Sequence, residues 1–420
     1  MDTPVEDLLF LTQRIPYPPI KGEKIRPLQI LKHLRQHYNV HLGCLVDDPR
    51  DLEHVETVRS LCVSSHFASL DRKRAKISCL SGLLTGQPLS VTFYRDKALA
   101  EWVRHVLADL KPRAVFVCSS NMAPYVLDTG LRAPVFLVDL ADVDSEKWRA
   151  YAETGTFPMR WIHGREWRLT AALEKRIAHE ADWSTFVSPQ EAQFFAKLVP
   201  GHADKIRAVS SGVDHTYFDP DWFGADADPP YDIACSNYVF TGTMDYPPNV
   251  GAVTWFVEDI LPLLRRVEPH TQFHIVGSSP APEVQNLART KGVFVTGRVP
   301  DVRPYLAHAT AGVAPMRIAR GIQNKVLEAM AMAKPVVVTP DALEGIAAQP
   351  NTEVIVAPDA ASFAAGCQLA AGPQGASIGA AARRRVLADY VWAERLRDFD
   401  PLLGITSSTS PQFIPAGVGL

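Results

Sequence analysis

The chain has 420 residues, 47% of them hydrophobic and 21% charged, a balance that suits two or three globular domains with sizeable cores. Its formal net charge of −3 argues against nucleic acid as a main partner, because phosphate contacts demand a basic surface. No apolar run reaches the roughly 18 residues that span a bilayer, and the acidic opening Met1-Asp-Thr-Pro-Val-Glu-Asp7 is unlike a secretory signal, so a cytoplasmic location is expected.

In chain order, the apolar run Leu8 to Leu11 predicts a first strand, followed by a helix over about 24–37. Strand-like runs recur at Val40 to Val46, Ala114 to Cys118, Val135 to Val138 and Ser184 to Val187. Met159 to Ala181, with Trp161 and Trp167, reads as a segment whose aromatic residues face a core, with an exposed aromatic face as the alternative. A second series of strands follows at Tyr238 to Thr241, Phe273 to Val276, Val293 to Thr296, Ala311 to Ala314 and Val336 to Val338. Short β-branched runs alternating with helices imply parallel sheets covered on both faces. Each half therefore reads as a doubly wound α/β domain. The acidic, breaker-rich stretch Asp219 to Pro230 suits a linker or surface loop near the boundary. Ser407 to Leu420 lacks periodicity and is expected to be a disordered tail.

Six cysteines (Cys44, Cys62, Cys79, Cys118, Cys235, Cys367) are scattered without a Cys-x-x-Cys pair and read as reduced, buried thiols. The histidines show no metal-ligand spacing, so neither a metal nor another cofactor is expected.

The most informative segment is Gly321-Ile-Gln-Asn-Lys-Val-Leu-Glu-Ala-Met-Ala-Met-Ala-Lys-Pro-Val-Val-Val-Thr339, a polar loop, a short helix over about 324–333 and a buried strand. Unpaired N–H groups and the helix dipole make such a loop attractive to phosphate. Lys325 and Glu328 lie three positions apart and share one helix face. A cation for phosphate and a carboxylate for a ribose diol suit a nucleotide; the plainer reading is two solvated charges.

This segment resembles the nucleotide-sugar motif of the retaining, family-4 glycosyltransferases of the GT-B fold. Ile206-Arg-Ala-Val-Ser-Ser-Gly-Val-Asp-His-Thr-Tyr-Phe-Asp-Pro220, Phe273-His-Ile-Val-Gly277 and Val293-Phe-Val-Thr-Gly-Arg-Val-Pro-Asp301 match further steps of that family in order. Ile15-Pro-Tyr-Pro-Pro-Ile-Lys-Gly-Glu-Lys-Ile-Arg26, Asp142-Val-Asp-Ser-Glu-Lys-Trp148 and Thr243-Met-Asp-Tyr-Pro-Pro-Asn249 look like the exosortase-associated (PEP-CTERM) subgroup.

The resemblance implies two Rossmann-like domains facing across a cleft. Residues 1–205 would form the acceptor side and 206–390 the nucleotide-sugar side, with 391–405 crossing back and 406–420 a tail. The donor would meet Gly22, Gly242, Thr243, Gly277, Arg298, Arg320, Gly321, Asn324, Lys325 and Glu328. Each glycine also reads as an ordinary strand-end turn, and Gly22, flanked by Lys21, Lys24 and Arg26, as a turn before a solvated helix start. Asp139 or Asp142 falls nearest to the family's catalytic histidine and would contact the sugar or acceptor; helix capping is the plainer reading.

Two departures stand out. Arg320 occupies the place of the family's usual first acidic residue, and Thr243 and Pro248-Asn249 stand where Arg and Lys are common. The implied reaction is sugar transfer from a nucleotide-diphosphate sugar to a hydroxyl with retention, in exopolysaccharide or lipid-linked glycan synthesis. Arg72-Lys-Arg-Ala-Lys76 would allow peripheral contact with the inner face of the membrane, as against a solvated helix face. Three alternatives remain at this point. A non-catalytic sugar-nucleotide-binding relative is motivated by Arg320, and a non-hydrolysing epimerase by the shared architecture. A metal-dependent fold is motivated by the triplet Asp142-Val-Asp144, a pattern that Asp226-Ala-Asp228 repeats.

Overall fold

The computed structural model describes residues 5–19, 22–83, 86–221, 229–319 and 321–405. The chain divides into two compact units: the first runs to Val209 and resumes at Leu396, and the second holds Ser210–Arg395.

The first unit is built on seven parallel strands: β1 (Asp7–Thr12), β2 (Asn39–Val46), β3 (Ser64–Ser69), β4 (Ala114–Cys118), β5 (Val135–Ala141), β6 (Trp183–Phe186) and β7 (Ile206–Ala208). Their order is β3-β2-β1-β4-β5-β6-β7, so the winding reverses between β1 and β4. β1, β2 and β4 are buried almost throughout, as expected of strands covered on both faces.

The second unit has six parallel strands: β8 (Asn237–Thr241), β9 (Gln272–Val276), β10 (Val293–Gly297), β11 (Ala311–Ala314), β12 (Val336–Val338) and β13 (Ile355–Val356). The order β10-β9-β8-β11-β12-β13 puts its reversal between β8 and β11. Phe240, Phe256, Phe273 and Phe363 form the aromatic centre of its core; Phe256 stacks on Phe273 with ring centroids 4.0 Å apart.

The doubly wound reading of both halves matches these sheets. The boundary expected at 205/206 falls instead after β7, because Ile206–Ala208 pairs in parallel with β6 and so completes the first sheet. At the far end the chain stays with the second unit through Arg395, and Leu396 onward belongs to the first. There Phe399 is buried against Phe116, centroids 5.0 Å apart, and the Tyr38 hydroxyl donates to the Leu403 carbonyl at 2.8 Å. The tail expected at 406–420 lies outside the described residues, as does most of the 219–230 stretch.

The helix Met159–Glu180 departs from its expected orientation. Its buried residues are Arg165, Glu166, Thr170, Leu173, Glu174, Ile177 and Ala178, so its N-terminal half buries charge instead of aromatics. Arg165 pairs with Glu166 at 2.6 Å and donates to the Gly82 and Gln87 carbonyls, which satisfies that charge. Trp161 is left 55% exposed, and Trp167 lies at the surface with it. Cys44, Cys118 and Cys367 are buried as expected, whereas Cys62, Cys79 and Cys235 are only partly covered; all six are free thiols.

Candidate functional site

Ligands of open α/β sheets bind beyond the carboxyl ends of the strands, where the strand order reverses. In the second unit that position lies past β8 and β11. β8 gives way to Gly242 at φ 152° and β9 to Gly277 at φ 154°, both outside the range that side chains readily accept. A Cβ on residue 277 would stand 1.7 Å from the Gly242 carbonyl oxygen. The Gly242 N–H donates to Val276 at 3.1 Å, and the Gly277 N–H donates to Gly297 at 3.2 Å. Three strand ends are thus joined by main chain alone.

Lys325 reaches this place from the first turn of the helix Asn324–Ala331, which is held by the buried face Val326, Leu327, Ala329 and Met330. Gly321 turns the preceding loop at φ 63°. The Lys325 ammonium donates to Asn249 Oδ1 at 3.0 Å and lies 3.4 Å from Met316 Sδ. It also stands 4.8 Å from the centroid of the Phe240 ring. Phe240 belongs to β8 and Met316 follows β11, so the ammonium marks the reversal point. Burial among these groups pulls its pKa down to about 8, against the opposing pull of Glu328. Burial pushes the Glu328 carboxyl up to about 7, while Lys325 and a hydrogen bond with the Thr241 side chain pull it back. Asn249 holds the corner together, since its Nδ2 donates to the Thr243 carbonyl at 2.8 Å.

Gly242, Thr243, Gly277, Lys325 and Glu328 are therefore gathered at one place by these contacts. Asn324 opens the helix that carries Lys325, and Gly321 lies in the loop before it. Arg298 is exposed on the turn after β10. Arg320 lies outside the described residues. Asn249, Phe240, Met316 and Thr241 escaped the sequence reading as partners of the two charged residues. Only the spacing of Asn249 after a strand-ending glycine hinted at its place.

The first unit corrects two expectations. Gly22 begins the helix Gly22–Leu34 and is exposed, but Lys24 and Arg26 beside it are committed elsewhere. Lys24 pairs with Asp51 at 2.6 Å, and Lys21 lies outside the described residues. Arg26 clasps Asp139 with two bonds, Nε to Oδ2 at 2.7 Å and Nη2 to Oδ1 at 2.8 Å. Asp139 also accepts from the Thr185 hydroxyl at 2.7 Å, and Arg26 donates onward to the Val209 carbonyl at 2.9 Å. A carboxylate so saturated is a structural tie across the sheet and not a free reactive group.

Asp142 differs. It follows Ala141, which turns the chain at φ 64°, and its Oδ1 is buried without a hydrogen-bond partner. Burial, with Glu191 and Asp144 nearby, pushes it up to about 7. The surrounding acids hold the turn: Glu191 accepts the Val143 N–H at 2.9 Å, and Glu174 accepts the Ser145 N–H at 3.0 Å. Asp144 accepts from the Ser120 hydroxyl at 3.4 Å.

Residues 236–370 match the family described as "Glycosyl transferases group 1". No curated protein matches the chain in sequence. Among solved structures, sucrose-phosphate synthase from Thermosynechococcus elongatus is similar, with 18% identity, TM-score 0.70, and coverage of 94% of this chain and 98% of its own. HepE of Anabaena, solved in complex with UDP and glucose, shows 12% identity and TM-score 0.67 over 95% of this chain and 99% of its own. WaaG, a glycosyltransferase involved in lipopolysaccharide biosynthesis, shows 16% identity and TM-score 0.65 over 94% and 100%. At these identities the likeness shows the fold, which is the GT-B architecture of two Rossmann-like units in one chain.

Proposed function

We propose that this chain is a glycosyltransferase that moves a hexose from a nucleoside-diphosphate sugar to a hydroxyl acceptor with retention at the anomeric carbon. The observation that carries the reading is the Lys325 ammonium, held half-buried by Asn249 and Phe240 at the β8/β11 reversal with Glu328 on the same helix face. The match of 236–370 to group 1 glycosyl transferases covers this site and supports it. UDP and UDP-glucose, bound by HepE, are the first donors to try.

Lys325 and the main-chain N–H groups at the start of its helix would hold the diphosphate, and Arg298 would lie by the base. Glu328 would accept hydrogen bonds from the ribose. As the bond to the anomeric carbon breaks, negative charge grows on the leaving phosphate, and a fixed cation in a dry site stabilises it with no reorganisation. Lys325 supplies that charge in the proposed reaction, which therefore requires no divalent ion. Asp142 would contact a hydroxyl of the sugar or the acceptor. Asp139 is assigned to holding Arg26.

The acceptor class proposed is a lipid-linked glycan of exopolysaccharide assembly, in keeping with the exosortase-associated, family-4 resemblance. A peripheral position on the cytoplasmic face of the membrane goes with it. Its support is that the helix Arg72–Gly82 exposes Ile77 (66%) and Leu80 (67%) together with Arg72, Lys73, Arg74 and Lys76, and that Phe157 (85%) and Trp161 are exposed in the same unit. Apolar side chains among cations suit the interface of an anionic bilayer. No helix among the described residues is long and apolar enough to cross a membrane.

Calorimetry with UDP, GDP and ADP on wild type and Glu328→Ala tests the donor site. One diphosphate should bind, and the variant should bind it clearly more weakly; no binding by any of the three would sink the assignment. Flotation with anionic vesicles at low salt tests the surface, where loss of retention in Trp161→Ser with Phe157→Ser is expected.

A further inference from the structure

A second constellation lies in the first unit and shares no residue with the proposed sugar-transfer site. His33, in the last turn of the helix Gly22–Leu34, places its Nε2 2.7 Å from Asp400 Oδ1, a residue 367 positions further along the chain. His37 lies one turn beyond His33, the two rings having centroids 5.2 Å apart. One donor atom from each of His33, His37 and Asp400 lies within 4.8 Å of the other two. His37 Nδ1 is buried with no hydrogen-bond partner, a costly state for an imidazole nitrogen.

From this geometry we infer that His33, His37 and Asp400 form a binding site for a borderline divalent cation such as Zn²⁺. Two imidazoles and a carboxylate are the donor set that such ions prefer, and a water completes the tetrahedron. Ligand atoms around tetrahedral zinc stand about 3.3 Å apart. The His33–Asp400 contact opens slightly to reach that spacing, and the His37 ring swings inward. Both sides of the site are already anchored. Phe399 packs on Phe116, and Tyr38 bonds the Leu403 carbonyl, so the ion arrives at a cradle held by other contacts. The sequence reading expected no metal, because the carboxylate that would complete the set comes from the returning C-terminal segment. The ion would clamp that segment to the first helix of the first unit, and its binding would stabilise the folded chain by mass action.

The test is Zn²⁺ calorimetry on the chelator-treated full-length chain at pH 7.5, with Co²⁺ absorption as a second readout of coordination geometry. His179 and His202, whose ring nitrogens approach to 3.3 Å at the surface, are the competing pair, and His202→Gln controls for them. Wild type and His202→Gln should bind one ion per chain with equal affinity and show tetrahedral Co²⁺ bands. His37→Gln and Asp400→Asn, checked for folding by circular dichroism, should each bind at least tenfold more weakly. No hydrogen bond joins the His37 side chain to Asp400 or the core, so its variant is the one expected to keep the fold. Absence of stoichiometric binding by wild type, unchanged binding in His37→Gln, or loss of binding in His202→Gln would each overturn the assignment.

Discussion

The Lys325 ammonium and the Asn249 side-chain oxygen are 3.0 Å apart, and the other end of the same amide is tied to the Thr243 carbonyl. Asn249 thus orients the cation and fixes the loop after β8 at once. In Asn249→Ala the ammonium loses its hydrogen-bond acceptor, at a cost of about 1–3 kcal/mol. Nucleoside-diphosphate affinity, measured by calorimetry, should fall about tenfold or more, and the melting temperature should fall by a few degrees.

Diphosphate affinity should also depend on pH through Lys325. A lysine held at about 8 is charged below that value and neutral above it, so binding weakens as pH rises through about 8. Glu328, pushed up to about 7, is already ionised over most of this range and leaves the alkaline limb to Lys325. The affinity should therefore fall by up to about tenfold per pH unit above 8. In Lys325→Ala the overall affinity should be low and this alkaline limb should vanish.

Breaking the Arg26–Asp139 clasp leaves a buried, unpaired charge, which typically costs about 3–5 kcal/mol. Asp139→Ala should lower stability by that order in urea titrations. Adding Arg26→Met to it should recover a good part of the loss, since the stranded guanidinium is then gone. An Asp139→Ala variant as stable as wild type would show that Asp139 is free for chemistry after all.

Glu174 supplies a stability signature. Burial, outweighing the hydrogen bonds from Ser145, pushes it up to about 8 from its ordinary value of 4.5. The folded state therefore holds a proton that the unfolded state releases between those values. Its contribution to stability is full below about 4.5 and is lost as pH rises to about 8. Glu174→Gln keeps the shape and cannot ionise, so the decline in stability over that window should flatten in thermal melts.

Asp142→Asn should leave diphosphate binding unchanged and reduce sugar transfer at least tenfold, read as kcat with a saturating donor. Equal turnover in the variant would remove Asp142 from the reaction.

Much of this arrangement could be read from residues, and the remainder was hidden for identifiable reasons. The runs at β1, β8 and β12 are apolar because both faces are covered, so they announce themselves. β3 (Ser-Ser-His-Phe-Ala-Ser) does not, because an edge strand is half solvated and needs little apolar pattern. Lys325 and Glu328 were legible from their helical spacing. Their environment was not, since Phe240, Asn249 and Met316 converge only through the fold. Asp139 looked available for the same reason: Arg26, its partner, lies 113 residues earlier. The helix at 159–180 misled in the opposite sense, since an ion pair inside it displaced the tryptophans that hydrophobicity would have put there.

The crossing of Gly242 and Gly277 bears on how such a site can change over time. Where peptide groups alone line the wall, ordinary substitutions find nothing to alter, and a single methyl at residue 277 collides with a carbonyl. In the proposed transferase that wall would be frozen and would read only what all nucleoside diphosphates share. Any drift in donor preference must therefore be written at its rim, in residues such as Arg298 and Thr243, where side chains are free to vary.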